Sequence, residues 1–230
     1  MKNGKDSCLI LFSGGQDSTT ALFWAMKNFD NVYAISFLYG QKHSIEISIT
    51  KEICKKLDIK QKIVDISFLE NLVVSGLFES SDKNVGESHP LNTFLPSSFV
   101  PYRNLIFLTF AASYATVIGT NNIIIGVSEV DYSGYPDCRG EFIKSAEKTL
   151  RLAINSDNIN IITPLISLTK SDIFMLAKEL DCLDFIINET MTCYNGSKIK
   201  NDFGFGCGEC PACLLRKKGY EEFLKGLYSF

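Results

Sequence analysis

Short apolar runs alternate with helical stretches along the first 130 residues, and this pattern constrains the fold more than any other feature. The runs are Cys8–Phe12, Val32–Tyr39, Ile63–Ile66 and Ile123–Val127. Their length and their nearly continuous apolar character are typical of strands that are covered on both faces. Strands that alternate with helices form right-handed βαβ units. The sequence therefore predicts a doubly wound α/β fold around a mostly parallel sheet.

Two polar stretches interrupt the alternation. Residues 79–98 are rich in Ser, Asp and Asn, and we predict a mobile loop there, of the kind that covers a site. Residues 188–206 are also typical of a loop. We accordingly predict an α/β domain over residues 1–187 and a small C-terminal element over residues 188–230.

Composition and charge exclude several classes of protein. The 230 residues are 46% hydrophobic, which is enough for a core without disulfides. The 23 Lys and Arg residues against 26 Asp and Glu give a net charge of −3, which argues against a chain held to nucleic acid by charge. No apolar run is long enough for a signal-peptide core or a membrane span, so we expect a cytoplasmic protein.

The segment Phe12–Thr20 joins the first predicted strand to the first helix. Its glycines allow a tight turn, and the N–H groups at the helix start carry partial positive charge, so the segment predicts a phosphate-binding loop. It matches neither the Walker pattern nor the dinucleotide-binding glycine pattern. The alternative is an ordinary turn with Asp17 or Ser18 as the N-cap.

Three cysteines lie at the spacing Cys207-x-x-Cys210-x-x-Cys213, with Cys193 as a candidate fourth ligand. Four thiolates suit a structural zinc ion, and Pro211 would begin a helix. The same spacing also suits an iron–sulfur cluster, and one Cys-x-x-Cys pair suits a redox function, so these alternatives stay open. We interpret three further cysteines as small buried apolar residues: Cys8, Cys54 and Cys182.

Polar residues follow two of the predicted strands, at the edge where ligands bind in open α/β sheets. They are Tyr39, Gln41 and His43 after the second strand, and Glu129, Asp131, Asp137 and Arg139 after the fourth. The alternative is a solvated acidic loop, with His43 as a helix cap. Arg103 and Lys170 begin predicted helices, where the helix dipole disfavours a cation unless an anion lies nearby.

The motif Ser13-Gly14-Gly15-x-Asp17-Ser18 resembles the loop of the N-type ATP pyrophosphatases, which have an adenine nucleotide alpha hydrolase-like fold. Within that group the chain is similar to the QueC family of 7-cyano-7-deazaguanine synthases. The similar segments are residues 39–43, 100–104, 126–139, 163–170 and 207–216, together with Cys193. Two departures are the 13 residues between Cys193 and Cys207 and the bulky side chain of Tyr102.

The resemblance implies an ATP-dependent ligase that converts 7-carboxy-7-deazaguanine and ammonia to the 7-cyano product. It implies ATP with Mg²⁺, one structural zinc per chain, small-molecule substrates, a homodimer, and no nucleic-acid or membrane partner. The implied ATP-binding residues are Phe12, Ser13, Gly14, Gly15, Gln16, Asp17, Ser18, Thr19, Thr20, Ala21, Leu22 and Lys170. The implied zinc ligands are Cys193, Cys207, Cys210 and Cys213.

The substrate site is expected among the polar residues at the strand ends. The candidates are Tyr39, Gln41, His43, Arg103, Glu129, Asp131, Asp137 and Arg139. A carboxylate among them can accept two hydrogen bonds from a guanine-like base, and Tyr132 or Tyr135 can stack on it. One alternative is a tRNA-thiolating enzyme of the same group, which needs a basic face and a sulfur-carrying cysteine such as Cys138. Another is a zinc-binding module without catalysis.

Overall fold

The computed structural model describes residues 7–40, 45–78, 88–89, 92–130 and 135–229. In chain order the elements are β1 (Ser7–Leu11), α1 (Gln16–Asn28), β2 (Asn31–Leu38), α2 (Ile45–Lys56), β3 (Lys60–Asp65), β4 (Ser88–His89), β5 (Asn92–Pro96), α3 (Arg103–Ile118), β6 (Asn122–Ile125), α4 (Gly140–Ala153), β7 (Asn160–Ile162), α5 (Lys170–Glu179), α6 (Leu183–Glu189), β8 (Lys200–Asn201), β9 (Gly204–Phe205) and α7 (Pro211–Leu224). Two short 3-10 helices lie at Ser67–Asn71 and Pro136–Cys138. No helix among these residues is both long and apolar enough to cross a bilayer.

Five parallel strands form the central sheet in the order β3-β2-β1-β6-β7. The chain builds outward from β1 to one edge and then returns to add β6 and β7 on the other side. The order therefore reverses between β1 and β6, where Leu11 lies beside Ile125. Ligands bind at such a switch point in open α/β sheets. The predicted doubly wound α/β class is confirmed.

Alternate residues of each strand face opposite sides of the sheet. Leu9 and Leu11 belong to the apolar layer under α3 and α4, whereas Cys8 and Ile10 belong to the layer under α1, α2 and α5. This alternation follows from the two-residue period of a strand. Helices cover both faces, which explains why the strands are apolar throughout rather than at every second position.

The two polar stretches contain more regular structure than the sequence indicates. The described part of residues 79–98 includes the antiparallel pair β4 and β5, and Ser97 is fully buried. Residues 188–206 include the pair β8 and β9. The prediction of loops alone was wrong for these parts. Pairs of two to five residues leave too few alternating apolar positions for recognition from the sequence.

The C-terminal helix α7 packs closely against α5. A Cβ atom on Gly219 would overlap the Cβ atom of Lys170, so only glycine allows this approach. The predicted helix after Pro211 is confirmed. The division of the chain at residues 187 and 188 stays a prediction, and it falls inside α6.

Candidate functional site

The loop after β1 is shaped by packing rather than by a side-chain cap. The backbone of Gly14 is left-handed, with φ of 74°, and a Cβ atom there would lie 3.1 Å from Ile49 Cγ2. The N-cap of α1 is Gly15, which has no side chain to cap the helix. The hydroxyls of Ser13 and Ser18 lie 3.0 Å apart. The start of α1 is therefore not the ordinary side-chain-capped turn that the alternative interpretation requires.

Asp17 and Lys170 meet at this loop although 153 positions separate them in the chain. The Lys170 Nζ atom lies 2.6 Å from Asp17 Oδ2, and the lysine is only 8% exposed. Thr169 and Asp172 form a capping box that starts α5 at Lys170. Asp17 Oδ1 is buried and has no hydrogen-bond partner among the described residues. Lys170 is thus a buried cation of the site rather than an exposed lysine at a helix start.

A cleft of about 300 Å³ opens above the carboxyl ends of β1 and β6. The predicted residues that line it are Phe12, Ser13, Gly15, Asp17, Ser18, Tyr39, Arg103, Lys170 and Cys193. The predicted residues that do not line it are Gly14, Gln16, Thr19, Thr20, Ala21, Leu22, Glu129, Asp137, Arg139, Cys207, Cys210 and Cys213. Gln41, His43 and Asp131 lie outside the described residues. The structure therefore brings the front of the phosphate loop and the starts of α3 and α5 together.

Side chains at the start of α1 differ in what they can contact. Thr19, Ala21 and Leu22 are fully buried behind the loop. Thr20 is also buried, and its hydroxyl donates to the Gln16 carbonyl. Consecutive residues spread around a helix, and α1 is covered by the sheet on one side and by α5 and α6 on another, so these residues support the helix rather than face a ligand.

An aromatic wall lines the cleft, formed mainly by side chains from the end of β2 and from α3. Phe37 and Phe107 stack with ring centroids 4.2 Å apart, and Tyr39 packs edge-on against Phe107. Arg103 lies over the ring of Tyr135 at 5.6 Å. Burial raises the pKa of Tyr39 to about 12, while the nearby Arg103 acts in the opposite direction. The wall can hold a planar ligand and offer one guanidinium to it.

Asp137 lies next to this wall, beside the start of α3. Its Oδ2 atom accepts the backbone N–H of Asn104 at 3.2 Å, and the Asn104 amide donates to the Asp137 carbonyl at 2.9 Å. The residue is 6% exposed, and burial raises the pKa of its carboxyl although Arg103 opposes the change. Its Oδ1 atom has no partner among the described residues. Asp137 therefore keeps one acceptor for a ligand.

Glu129 and Arg139 lie at the N-terminus of α4. Glu129 Oε2 accepts the Gly140 N–H at 2.8 Å, and Arg139 is the N-cap residue of that helix. Both side chains are exposed. A carboxylate at a helix N-terminus stabilises the helix, so a structural role accounts for Glu129.

Cys138 lines the cleft, near Arg103. The Asn104 amide donates to its Sγ atom at 3.5 Å. Burial, with the Asp137 carboxylate, raises the pKa of the thiol to about 11. The neutral thiol is therefore the stable form near pH 7, which disfavours a nucleophilic role.

Four cysteine thiols converge beside the cleft. The Sγ atoms of Cys193, Cys207, Cys210 and Cys213 all lie within 4.8 Å of one another. The backbone N–H of Cys207 points to Cys193 Sγ at 3.4 Å, and that of Cys210 points to Cys207 Sγ at 3.3 Å. A hydrogen bond from Cys213 lowers the pKa of Cys210. These residues form a four-thiol group that can bind a metal ion.

Sequence reasoning missed two residues that connect this group to the phosphate loop. Thr192 lines the cleft, and its Oγ1 atom accepts the Gln16 N–H at 3.2 Å. Arg216, on α7, donates to the same oxygen at 3.1 Å and is 1% exposed. No motif marks Thr192, because its partners lie 176 and 24 positions away. The sequence signal that was available for Arg216 was its place at the end of segment 207–216, three residues after Cys213.

The fold is the adenine nucleotide alpha hydrolase-like architecture of the PP-loop proteins, the class named after the loop of the N-type ATP pyrophosphatases. A 4-thiouridine synthetase–RNA complex with bound ATP has a TM-score of 0.54 and 17% identity, and the match covers 96% of this chain and 52% of that one. NMN synthetase from Francisella tularensis has a TM-score of 0.50 and 16% identity, with coverage of 97% and 78%. At such identities the likeness shows the fold alone.

The chain belongs to the family of the queuosine biosynthesis protein QueC, whose family model matches residues 7–224. A 7-cyano-7-deazaguanine synthase from Helicobacter acinonychis (strain Sheeba) is 52% identical over 221 residues, covering 96% of this chain and 98% of the relative. A protein of the same name from Clostridium acetobutylicum is 50% identical over 224 residues, covering 97% of each chain. The expected family is confirmed.

Proposed function

We propose that this protein is an ATP-dependent ligase that converts 7-carboxy-7-deazaguanine and ammonia to 7-cyano-7-deazaguanine in queuosine biosynthesis. The observation that carries the proposal is the near full-length match to synthases of that name at 50–52% identity. The cleft supports it, because the phosphate-binding loop, the aromatic wall and Arg103 line it, and the buried carboxylate of Asp137 lies near Arg103.

The reaction needs two activations, because neither a carboxylate nor an amide has a good leaving group. A carboxylate oxygen attacks the α-phosphorus of ATP and pyrophosphate leaves. Ammonia then displaces AMP, which carries that oxygen away, and an amide remains. The amide oxygen attacks a second ATP, and loss of AMP and protons yields the nitrile. Positioning and charge neutralisation suffice for these steps, so no covalent enzyme intermediate is required.

In this proposal the phosphate-binding loop binds ATP and the aromatic wall binds the deazaguanine substrate. The start of α1 and Lys170 neutralise the charge that develops on pyrophosphate. We assign Arg103 to the substrate carboxylate rather than to the phosphates, because its closest described partners are on the aromatic wall. Asp137 accepts hydrogen bonds from the base through Oδ1. Tyr135 and Tyr39 contribute ring surface.

The residues present suit the two metals that the family implies. Asp17 Oδ1 is a buried carboxylate oxygen that no described residue contacts by a hydrogen bond, and carboxylate oxygens are the ligands that Mg²⁺ prefers. Magnesium supplies positive charge to the ATP phosphates. Zinc–sulfur bonds of about 2.3 Å place tetrahedral sulfur atoms about 3.8 Å apart. Cys207 and Cys213 Sγ lie 3.9 Å apart, so one zinc ion fits, with all four positions taken by protein.

The thiolating alternative finds no support in the site. It requires a reactive cysteine, and burial keeps the Cys138 thiol protonated. It also requires a basic face for tRNA, whereas the chain has a net charge of −3. We therefore propose small molecules as the only substrates. A cytoplasmic location and a homodimer remain predictions.

An isotope experiment tests the proposal. The protein is incubated with ATP, Mg²⁺, ammonium and 7-carboxy-7-deazaguanine labelled with oxygen-18 in both carboxylate positions. We expect the nitrile, two AMP and two pyrophosphate for each nitrile, and one labelled oxygen in each AMP. Starting from the amide, one ATP should suffice. Accumulation of ADP with labelled phosphate would show that the γ-phosphate is attacked instead.

A further inference from the structure

Thr192 lies between the four-thiol group and the phosphate-binding loop. It precedes Cys193 and lines the cleft, where a Cβ atom on Gly15 would lie 3.6 Å from its Oγ1 atom. The adjacent residue, Met191, donates its N–H to the Gly14 carbonyl at 3.3 Å. The segment therefore packs along the loop that we assign to ATP.

The hydrogen bonds of Thr192 restrict what its hydroxyl can still do. Its oxygen accepts two hydrogen bonds, one from the Gln16 N–H at 3.2 Å and one from Arg216 Nη1 at 3.1 Å. A hydroxyl has two lone pairs and one hydrogen. Both lone pairs are used, so only the hydrogen remains. No acceptor for this hydrogen occurs among the residues that the structure describes.

Arg216 adds positive charge behind this hydroxyl. Its guanidinium also donates to the carbonyls of Ile186 at 2.8 Å and Thr190 at 3.3 Å. Lys170 is paired with Asp17, whereas no described carboxylate forms an ion pair with Arg216, although the residue is only 1% exposed. Burial lowers the pKa of this guanidinium, while the nearby Asp17 and Cys213 act in the opposite direction. Arg216 does not line the cleft itself, so it acts through Thr192.

We infer that Thr192 is a further phosphate-binding residue of this cleft, which donates its hydroxyl hydrogen to a phosphate oxygen, and that Arg216 is the positioning residue that holds the hydroxyl in this orientation. The inference rests on the proposed function only in naming ATP as the source of the phosphate. It assigns to the C-terminal element a direct part in nucleotide binding.

The test compares Thr192→Val, which removes the hydroxyl, with Thr192→Ser, which keeps it. Calorimetric titrations use inorganic pyrophosphate, ATP and 7-carboxy-7-deazaguanine in magnesium buffer. We expect Thr192→Val to weaken pyrophosphate and ATP binding about tenfold to a hundredfold, as for a lost hydrogen bond to a charged group. Binding of the deazaguanine should not change, and Thr192→Ser should remain within about threefold of the wild type for every ligand.

Several results would overturn the inference. One is unchanged pyrophosphate binding in Thr192→Val. Another is an equal loss of deazaguanine binding, which would show a purely structural role. A fall in the metal-to-protein ratio of Thr192→Val would assign the defect to the metal group. If the wild type binds pyrophosphate but makes no nitrile, the proposed function fails while the pyrophosphate titrations still decide the role of Thr192.

Arg216→Lys tests the positioning role. It keeps the charge but loses the planar geometry, so we expect a loss of pyrophosphate affinity similar to that of Thr192→Val. The double variant should be no weaker than the weaker single variant, because both changes remove one interaction. Additive losses would contradict the coupling. If thermal unfolding shows that Arg216→Lys does not fold, the two Thr192 variants decide the assignment alone.

Discussion

The parallel sheet and the four-cysteine element differ in what stabilises them. The sheet has two extensive apolar layers, with Leu9, Ile10 and Ile124 fully buried. The element has a buried cluster of six residues: Met191, Cys193, Phe203, Cys210, Ala212 and Cys213. Three of the six are thiols of the four-cysteine group, which can bind a metal ion. An apolar cluster this small contributes little stability of its own, so we predict that the element depends on a bound metal while the sheet does not.

The two regions nevertheless build one site. The element presents Thr192 to the phosphate loop, and α7 packs against the start of α5, which carries Lys170. A site assembled in this way can lose its function while most of the fold survives. The comparison therefore predicts separate responses of stability and activity, which the following variants can measure.

The largest effect is expected from Cys210→Ser. Structural zinc in finger peptides contributes on the order of 10–16 kcal/mol at neutral pH. We expect loss of the bound metal, loss of nitrile formation, and unfolding or aggregation that begins in the C-terminal element. Metal analysis, activity and thermal unfolding are the measurements. Cys54→Ser, in the sheet layer, is the control and should keep its metal. Iron with a brown visible band, or an active Cys210→Ser protein, would contradict the prediction.

Asp17→Ala should reduce kcat about 100- to 1000-fold, because it removes the proposed magnesium ligand and the carboxylate that orients Lys170 toward the reacting phosphates. Ser13→Ala should act in the same direction with a smaller loss. Thermal unfolding of Ser13→Ala should stay near that of the wild type, whereas Asp17→Ala should melt lower, because it removes an ion-pair partner of the buried Lys170. Asp30→Ala, an exposed aspartate just before β2, is the matched control and should have full activity. Full activity of Asp17→Ala would reject the loop assignment.

Asp137→Asn should weaken deazaguanine binding about ten- to a hundredfold and ATP binding far less. Glu129→Gln is the matched control, because Glu129 is exposed and caps α4 through its Oε2 atom, whereas Asp137 is buried, and the ligand affinities of this variant should hardly change. If Asp137→Asn lowered the affinities for deazaguanine and ATP equally, the result would indicate a structural role for Asp137.

The raised pKa of Asp137 adds a test by pH. The folded state holds this proton more tightly than the unfolded state. The ionised carboxylate therefore lowers the free energy of unfolding at neutral pH, and protonation at lower pH removes this penalty. Asp137→Asn should therefore melt no lower than the wild type at pH 7. Deazaguanine binding by the wild type should weaken as the pH falls through a value above 3.8. A lower melting temperature of the variant at pH 7 would contradict this account.

The smallest effect is expected from Gly219→Ala. The added Cβ atom overlaps Lys170, and overpacking of this kind costs about 1–3 kcal/mol, partly offset by the higher helix propensity of alanine. We expect a modest fall in melting temperature and a few-fold weaker binding of ATP. Lys218→Ala, exposed on the same helix, should change neither. A more stable Gly219→Ala protein would show that the contact of α5 with α7 is looser than the structure indicates.

Local patterns predicted much of the sheet, because each strand carries its own apolar run. The phosphate loop, the four cysteines and the helix after Pro211 were also visible as short motifs. The fifth strand β7, with three residues, was missed because it is too short to show a period. Helix α4 was missed although its buried residues Ile143, Ala146 and Leu150 follow helical spacing.

The sequence by itself determined the α/β class, and it predicted the phosphate-binding loop and the four-cysteine group, because each depends on residues that are close together in the chain. Only the tertiary structure decided which distant side chains meet at the cleft. It paired Asp17 with Lys170, placed Arg103 on the aromatic wall, and joined Thr192 to Gln16. These contacts arise from the packing of α5 and α7 and from the convergence of strand ends, which no local spacing of residues records.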